Sequence, residues 1–257
     1  MKKNWQFKRA VNITFYKLRK LPRLARLFVR LTYLLRYFLR AGMAPKADNI
    51  GTVIICDELK AIHAGNPKVA SSSVRSFFRT LPFSYQLETK LSYGDVLKTN
   101  AKLSDYYQFA FVRDPWSRVY SCWNDKISNN GKFADIFIIT RYRGLYPDMP
   151  FAEFVHWLAS EEGADQFSDR HWISQYRILN NNEGGLRFDS LGYMSSLKED
   201  FAKIQSELGI ESFSLPHSNQ QQNENLFLNA YTDELLAIVS ERYQRDITVF
   251  GFKVPQL

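Results

Sequence analysis

The chain has 257 residues, of which 45% are hydrophobic and 15% aromatic, a composition typical of one large or two small globular domains. This composition excludes collagen-like, low-complexity and wholly disordered proteins, because the aromatic side chains supply ample surface to bury against the entropy of ordering the chain. Only two cysteines are present, which argues against a disulfide scaffold. We therefore expect a reducing compartment, the cytoplasm.

The formal net charge of +8 is unevenly distributed along the chain. Residues 1–46 contain 13 lysines and arginines and no acidic residue, whereas residues 47–257 contain 21 basic and 26 acidic residues. The larger part is therefore mildly acidic, which argues against a nucleic-acid-binding domain. We divide the chain into a basic segment, residues 1–46, and a globular domain, residues 47–257.

The basic segment has the pattern of an amphipathic helix. Apolar residues spaced three and four apart predict one apolar helix face, formed by Leu21, Leu24, Phe28, Leu31, Leu35 and Phe38. Basic residues interrupt the apolar runs too often for a secretory signal or a membrane span. Two interpretations stay open. The helix lies on an anionic membrane surface, peripheral to the inner face, or it packs on the domain or on a second copy in a homo-oligomer.

The sequence PKVASSS, residues 67–73, follows two short apolar runs and precedes a helical apolar pattern. We predict a strand, a tight loop and a helix capped by the serines. A helix start offers unsatisfied backbone N–H groups and a positive dipole end, and Lys68 adds a mobile charge, so the loop is suited to bind an anion. The alternative is an ordinary capped helix with a solvent-facing lysine.

A second strand, turn and helix are predicted over residues 106–126. QFAFV is apolar, Asp114 is a capping residue, and Pro115 suits the first helical position. Arg113 ends the strand and Ser121 lies about two helical turns later, so a guanidinium and a hydroxyl can hold a second phosphate. The alternative role of Arg113 is a structural pair with Asp114.

Two anion sites at neighbouring strand ends suit a nucleoside that carries phosphates at two positions. PKVASSS resembles the 5′-phosphosulfate loop, and FVRDPWSRVYSCWNDK the 3′-phosphate element, of sulfotransferases that use 3′-phosphoadenosine 5′-phosphosulfate (PAPS). The resemblance is closest to carbohydrate sulfotransferases of the HNK-1 and chondroitin type, including their bacterial relatives. Over about residues 52–253, further elements of the family resemble DRHWISQ, LGYMSSLKEDFAKIQSELGI, LPHSN and YQRDITVFGF. Ser174 replaces the proline that the family usually has in DRHWISQ.

The resemblance implies an α/β protein with a P-loop-like, three-layer fold and a central parallel sheet, preceded by the N-terminal helix. It implies transfer of the sulfuryl group from PAPS, without a metal, to a hydroxyl of a glycan or lipid-linked sugar, a reaction of class EC 2.8.2 used in polysaccharide biosynthesis. The residues that it assigns to the donor are Pro67, Lys68, Val69, Ala70, Ser71, Ser72 and Ser73 for the phosphosulfate, Arg113 and Ser121 for the 3′-phosphate, and Tyr193 for adenine. A core position is the alternative for Tyr193.

Sulfuryl transfer moves charge onto a leaving phosphate oxygen, so a cation near that oxygen favours the reaction, and Lys68 is our candidate. The acceptor hydroxyl needs a base, and His171 is the first candidate because imidazole titrates near neutrality. We expect Trp172 beside it to form a wall for a sugar ring. Glu88, Asp95 and His63 are the other candidate bases, and His217 is interpreted as structural. Arg141 and Arg143, in a loop over residues 131–150, suit acidic sugars or a solvated surface.

Two other functions are compatible with parts of this pattern. A P-loop kinase acting on a small molecule would also bind phosphates, but PKVASSS lacks the order G-x-x-x-x-G-K-[ST]. A catalytically inactive protein on a membrane surface would keep the same fold. The presence of Lys68, Arg113 and Ser121 argues against such a loss of activity.

Overall fold

The computed structural model describes residues 51–89, 91–128, 142, 144–146, 148–181, 185–210 and 226–257. The strands are β1 (Thr52–Cys56), β2 (Ala61–Gly65), β3 (Gln86–Glu88), β4 (Tyr107–Val112) and β5 (Ser190–Tyr193). The α-helices are α1 (Ser71–Thr80), α2 (Tyr93–Thr99), α3 (Pro115–Lys126), α4 (Phe151–Ala159), α5 (Gln175–Leu179), α6 (Leu197–Glu207), α7 (Asp233–Arg242) and α8 (Gln244–Phe250). Short 3-10 helices cover Ala101–Asp105, Glu161–Gly163, Met194–Ser196 and Leu226–Ala230.

The strands form one mixed sheet in the order β3-β1-β2-β4-β5. Strands β2, β4 and β5 are parallel neighbours, whereas β1 is antiparallel to both β2 and β3. The predicted α/β class is confirmed, but the prediction of a parallel sheet is wrong for β1. The reason is the short connection between β1 and β2, a turn in which Lys60 N donates to Asp57 O at 3.2 Å. A parallel pair would need a crossover of a dozen or more residues.

Apolar side chains pack on both faces of the sheet, because successive residues of a strand point to opposite sides. On one face, Phe109 and Phe111 of β4 pack with α1 and α6, where Phe77 and Phe201 meet edge to face at 5.0 Å. On the other face, Ala110 and its neighbours pack with residues of α2, α5 and α8. Strand β4 is thus buried on both sides, which fixes the residue that follows it.

Several predicted features lie outside the described residues. These are the helix of the basic segment, the arginines of the 131–150 loop and His217. In the part of the chain that the structure describes, no helix combines the length and the apolar character needed to cross a membrane.

Candidate active site

The loop between β2 and α1 is the first predicted anion site. Asn66 O accepts hydrogen bonds from Val69 N at 3.3 Å and from Ser71 Oγ at 2.6 Å, which closes a tight turn. Lys68 and Ala70 have φ angles of 69° and 47°, in the left-handed region that side chains other than glycine rarely adopt. The predicted serine cap is wrong: Ala70 is the N-cap residue, because the Ser71 hydroxyl turns back to Asn66.

Helix α1 directs its N-terminal end toward this loop. Its first backbone hydrogen bond runs from Val74 N to Ala70 O at 3.0 Å, so the amides of Ser71 and Ser72 lie before the start of the intrahelical ladder. Ser72 is exposed and Ser73 is buried. The loop and helix end therefore keep the backbone donors that an anion requires, together with the Lys68 side chain.

The second predicted anion site lies where β4 meets α3. Asp114 caps α3 by accepting from Ser117 N at 2.8 Å, and Pro115 is the first helical residue, both as predicted. Arg113 Nε donates to Ser117 Oγ at 2.8 Å. The Ser117 hydroxyl donates in turn to Asp114. Ser121 follows Ser117 by one helical turn and is partly exposed, so the helix presents both hydroxyls on the same face.

Two arginines join the two sites. Arg113 Nη1 donates to Lys68 O at 3.4 Å. Arg118, which is 1% exposed, donates from Nε to Pro67 O at 3.3 Å and from Nη1 to Ile173 O at 2.8 Å. Arg118 was not predicted to have a role, although its place within FVRDPWSRVYSCWNDK was a signal. Its buried guanidinium holds the loop, α3 and the DRHWISQ segment together.

Gln175, from DRHWISQ, is a second connection that the sequence analysis missed. Its Oε1 accepts from Asn66 Nδ2 at 2.7 Å and from Arg113 N at 3.0 Å, and its Nε2 donates to Arg113 O at 2.7 Å. Asp246, in YQRDITVFGF, accepts from the backbone amides of Gln175 and Tyr176 at 2.8 Å. Burial raises the pKa of Asp246 despite these hydrogen bonds. These two motifs therefore fix the positions of Asn66 and Arg113.

The Lys68 side chain extends across the loop to the C-terminal end of α3. Its Nζ lies 3.0 Å from Asp125 Oδ2, and Lys126 Nζ lies 3.4 Å from the same oxygen. Burial acts to raise the pKa of Asp125, but the two ammonium groups outweigh it and keep the pKa below its usual value. Asp125 was not predicted, although it follows Ser121 by four residues and so shares its helix face.

His171 forms a short hydrogen bond from Nδ1 to the Asp169 carboxylate, and its backbone N donates to the same oxygen at 3.0 Å. The Asp169 bond places the proton on Nδ1 and leaves Nε2 as the acceptor. Burial, the largest influence, lowers the pKa of His171; Asp169 acts to raise it, and Lys126 acts to lower it. Lys126 acts on His171 by its charge, and Lys126 contacts the same Asp125 carboxylate as Lys68.

Trp172 does not form the expected wall for a sugar ring. It is 1% exposed and packs edge to face with Tyr142 at 4.9 Å and with Trp157 at 5.8 Å, inside an aromatic cluster. A large aromatic side chain beside His171 is therefore part of the core, which anchors the segment instead of contacting solvent.

The other candidate bases lie in different surroundings. His63 is 1% exposed, packs on Phe109 at 5.0 Å, and has its pKa lowered to about 3 by burial and by the charge of Arg75. This position does not suit proton exchange with an acceptor. Glu88 ends β3, two strands from β2 and so about 10 Å across the sheet. Asp95 is exposed and accepts from Ser92 Oγ at 2.7 Å at the start of α2.

Tyr193 ends β5, opposite Val112 in the neighbouring parallel strand. Its hydroxyl donates to Phe250 O at 3.2 Å, and its ring meets Phe252 edge to face at 6.0 Å. The side chain is thus partly in the core, and Tyr193 lies at the same, C-terminal end of the parallel strands as Arg113. Across the described ranges, no group of three or more His, Cys, Asp or Glu side chains is arranged to hold a metal ion.

Comparison with known proteins gives the same family as the motifs. The chain is 25% identical over 190 residues to carbohydrate sulfotransferase 10 of Xenopus laevis, covering 65% of this chain and 53% of that protein. It is 24% identical over 243 residues to carbohydrate sulfotransferase 10 of Homo sapiens, covering 79% and 67%. It is 21% identical over 233 residues to carbohydrate sulfotransferase 14 of Danio rerio, covering 79% and 62%. The chain thus spans between about half and two thirds of the length of these relatives. No solved structure matches.

A family model described as the sulfotransferase family matches residues 26–253. The match begins inside the basic segment, ahead of the residue at which the motif resemblance begins. It contains every residue assigned above to the two anion sites and to the candidate base. The match covers far more than half of the 257 residues, and the chain therefore belongs to the sulfotransferase family.

Proposed function

We propose that the chain transfers the sulfuryl group of PAPS to a hydroxyl of a carbohydrate, a reaction of class EC 2.8.2, on a P-loop-like fold. The observation that carries this proposal is the direct contact between the two anion sites, through Arg113 Nη1 to Lys68 O at 3.4 Å. A donor with charged groups on the 5′ and 3′ sides of one nucleoside requires two such sites side by side. The names of the relatives support a carbohydrate acceptor, a glycan or a lipid-linked sugar.

The described residues fit the donor in charge and in kind. The loop of residues 66–70 and the start of α1 would bind the phosphosulfate through backbone amides and Lys68. Arg113 and Ser121 would bind the 3′-phosphate. Tyr193, at the end of the adjacent strand β5, is the proposed adenine contact. When bound, the donor supplies an activated sulfuryl group, and the protein supplies position and charge.

The reaction then needs one proton transfer and one neutralised oxygen. His171 Nε2 accepts the proton of the acceptor hydroxyl, whose oxygen forms a bond to sulfur while the bond from sulfur to the 5′-phosphate oxygen breaks. Lys68 neutralises the charge that the phosphate oxygen gains. The products are a sulfate ester, adenosine 3′,5′-bisphosphate and a proton that His171 returns to solvent.

Titration calorimetry separates this function from that of a kinase. The chain should bind adenosine 3′,5′-bisphosphate without magnesium, and more tightly than it binds ATP with magnesium. Labelled PAPS should then transfer sulfate to at least one member of a panel of glycans, lipid-linked sugars and small phenols. Preference for magnesium ATP would favour the kinase. Bisphosphate binding without transfer to any acceptor would favour the inactive protein on a membrane surface.

Arg113→Ala should weaken the binding of adenosine 3′,5′-bisphosphate at least tenfold and leave the binding of adenosine 5′-phosphosulfate nearly unaffected, since only the first ligand has a 3′-phosphate. The measurement is calorimetry with both ligands. Ser117→Ala is a matched control, because Ser117 contacts the Arg113 guanidinium and should produce a smaller loss with the same ligand preference. Equal losses for the two ligands would refute the assignment of Arg113.

The basic segment is proposed to hold the enzyme at the inner membrane surface as a peripheral protein. The full chain should bind vesicles that contain anionic lipid and release them at high salt, and deletion of residues 1–46 should abolish both behaviours. Co-sedimentation measures this, and light scattering of both chains tests the homo-oligomer interpretation. A fall in the number of chains per particle on deletion, with vesicle binding unchanged, would refute the membrane role.

A further inference from the structure

We propose that Asp125 is a positioning residue that holds the Lys68 ammonium in place for sulfuryl transfer, at a cost in donor affinity. This inference rests on the proposed function and adds the control of its catalytic cation. The observation is the 3.0 Å contact between Lys68 Nζ and Asp125 Oδ2, which links the phosphosulfate loop to the far end of α3.

The position of Lys68 explains why it needs a partner. Its backbone is left-handed, at a φ of 69°, so its side chain leaves the loop from an uncommon direction. A lysine has a long flexible stem, and fixing it costs rotamer entropy that a free ammonium must lose each time it engages the donor. Here the Lys68 side chain is only 16% exposed and already has its direction set by Asp125.

Helix α3 places Asp125 in line with the donor site. Ser117, Ser121 and Asp125 are spaced by four residues and so lie along one helix face. The N-terminal part of this face, next to Arg113, is assigned to the 3′-phosphate. At its C-terminal part, Asp125 contacts Lys68. The same helix thus sets the distance between the 3′-phosphate site and the catalytic ammonium.

The charges of this cluster give opposite effects on binding and on rate. Lys68 and Lys126 both contact the single carboxylate of Asp125, so the cluster keeps a net positive charge that attracts an anionic donor. The carboxylate nevertheless repels that donor, because its pKa is held low and it stays ionised. Removing its charge should therefore strengthen binding while it releases Lys68 from its position. A residue with a merely structural role would weaken both.

The test is Asp125→Asn, which keeps the size of the side chain. We expect adenosine 3′,5′-bisphosphate to bind roughly threefold to tenfold more tightly, as expected for the loss of one nearby charge, with the gain shrinking at high salt. We expect kcat for sulfate transfer to fall about tenfold or more, because Lys68 loses its orientation. Asp125→Glu keeps the charge and should restore wild-type affinity and part of the rate.

A double-mutant cycle with Lys68→Ala shows whether Asp125 acts through Lys68. In the Lys68→Ala background, Asp125→Asn should change kcat little, because the group that it positions is gone. Asp105→Asn is the matched control: it removes one exposed carboxylate that precedes β4, at the opposite end of this strand from Arg113, and should change neither quantity. Asp125→Ser is a second neutral variant, expected to show the same opposite changes as Asp125→Asn.

The outcomes separate this inference from the proposed function. A wild-type chain that neither binds the bisphosphate nor transfers sulfate refutes the proposed function and the inference with it. If the wild type is active and Asp125→Asn has unchanged affinity and kcat, only the inference is refuted. A higher kcat in Asp125→Asn also refutes only the inference, and would mean that Asp125 slows the reaction by holding Lys68. Loss of folding in both neutral variants, measured by thermal unfolding, would assign Asp125 a structural role and would also overturn the inference.

Discussion

Lys68→Ala should lower kcat for sulfate transfer by about 10²–10³-fold, while the affinity for the donor PAPS, measured without an acceptor, falls far less. The ammonium matters most when the leaving phosphate oxygen becomes negative, a charge that bound PAPS does not carry before its sulfur–oxygen bond breaks. The contact from Arg113 uses the backbone oxygen of Lys68, so alanine leaves that link between the two sites intact. Fixed-time transfer assays give kcat, and calorimetry on the same preparation gives the affinity.

Lys126→Ala is the control for this prediction, because Lys126 contacts the same Asp125 oxygen and carries the same charge. Its loss should reduce donor affinity slightly and kcat by much less than the loss of Lys68. Equal reductions of affinity and kcat in Lys68→Ala would mean that the lysine binds donor and transition state alike. A rate loss as large in Lys126→Ala would assign the effect to the net charge of the cluster.

The elements around each motif could be predicted because their signals are local. Asp114 and Pro115 determine the start of α3 within three residues, and the uninterrupted apolar run of β4 reflects burial on both faces. The direction of β1 could not be predicted in this way. Its turn, Asp57–Lys60, contains neither glycine nor proline, so the sequence carries no familiar hairpin signal although Lys60 has a φ of 45°.

The predicted site residues were found through motifs, whereas the residues that hold them were not. Asn66 and Gln175 are 109 positions apart and yet share a 2.7 Å hydrogen bond. No periodicity or capping pattern encodes a contact over that separation, because it depends on how α5 packs against the sheet. Asp125 differs from Gln175 in this respect, since its four-residue spacing from Ser121 was visible in the sequence. For Trp172 the prediction itself was wrong, because the residue type suggested a sugar contact whereas packing places the side chain in the core.

His171→Ala should lower kcat/KM for the acceptor by about 10²–10⁴-fold, the usual effect of removing a general base. Binding of adenosine 3′,5′-bisphosphate should change little, because the proposed role of His171 is to accept the proton of the acceptor hydroxyl. Glu88→Gln and Asp95→Asn are the matched controls, since each removes one alternative base with little change in size. If Glu88→Gln gave the larger loss, Glu88 would replace His171 as the base.

Asp169→Asn should shift the pH profile of kcat/KM as well as lower its plateau. Burial lowers the pKa of His171 below its usual value, and the Asp169 carboxylate opposes this by stabilising the imidazolium. Removing the carboxylate should therefore lower the pKa further and move the acid limb, where the base becomes protonated, to lower pH. The plateau should fall because asparagine no longer fixes the proton on Nδ1, although its oxygen can still accept from the His171 amide.

Lys126→Met should move the acid limb in the opposite direction, since the charge of Lys126 lowers the pKa of His171. Titration of the His171 imidazole by NMR checks both shifts without turnover. A limb that stays in place in both variants, while activity depends on His171, would mean that another group limits the rate in acid.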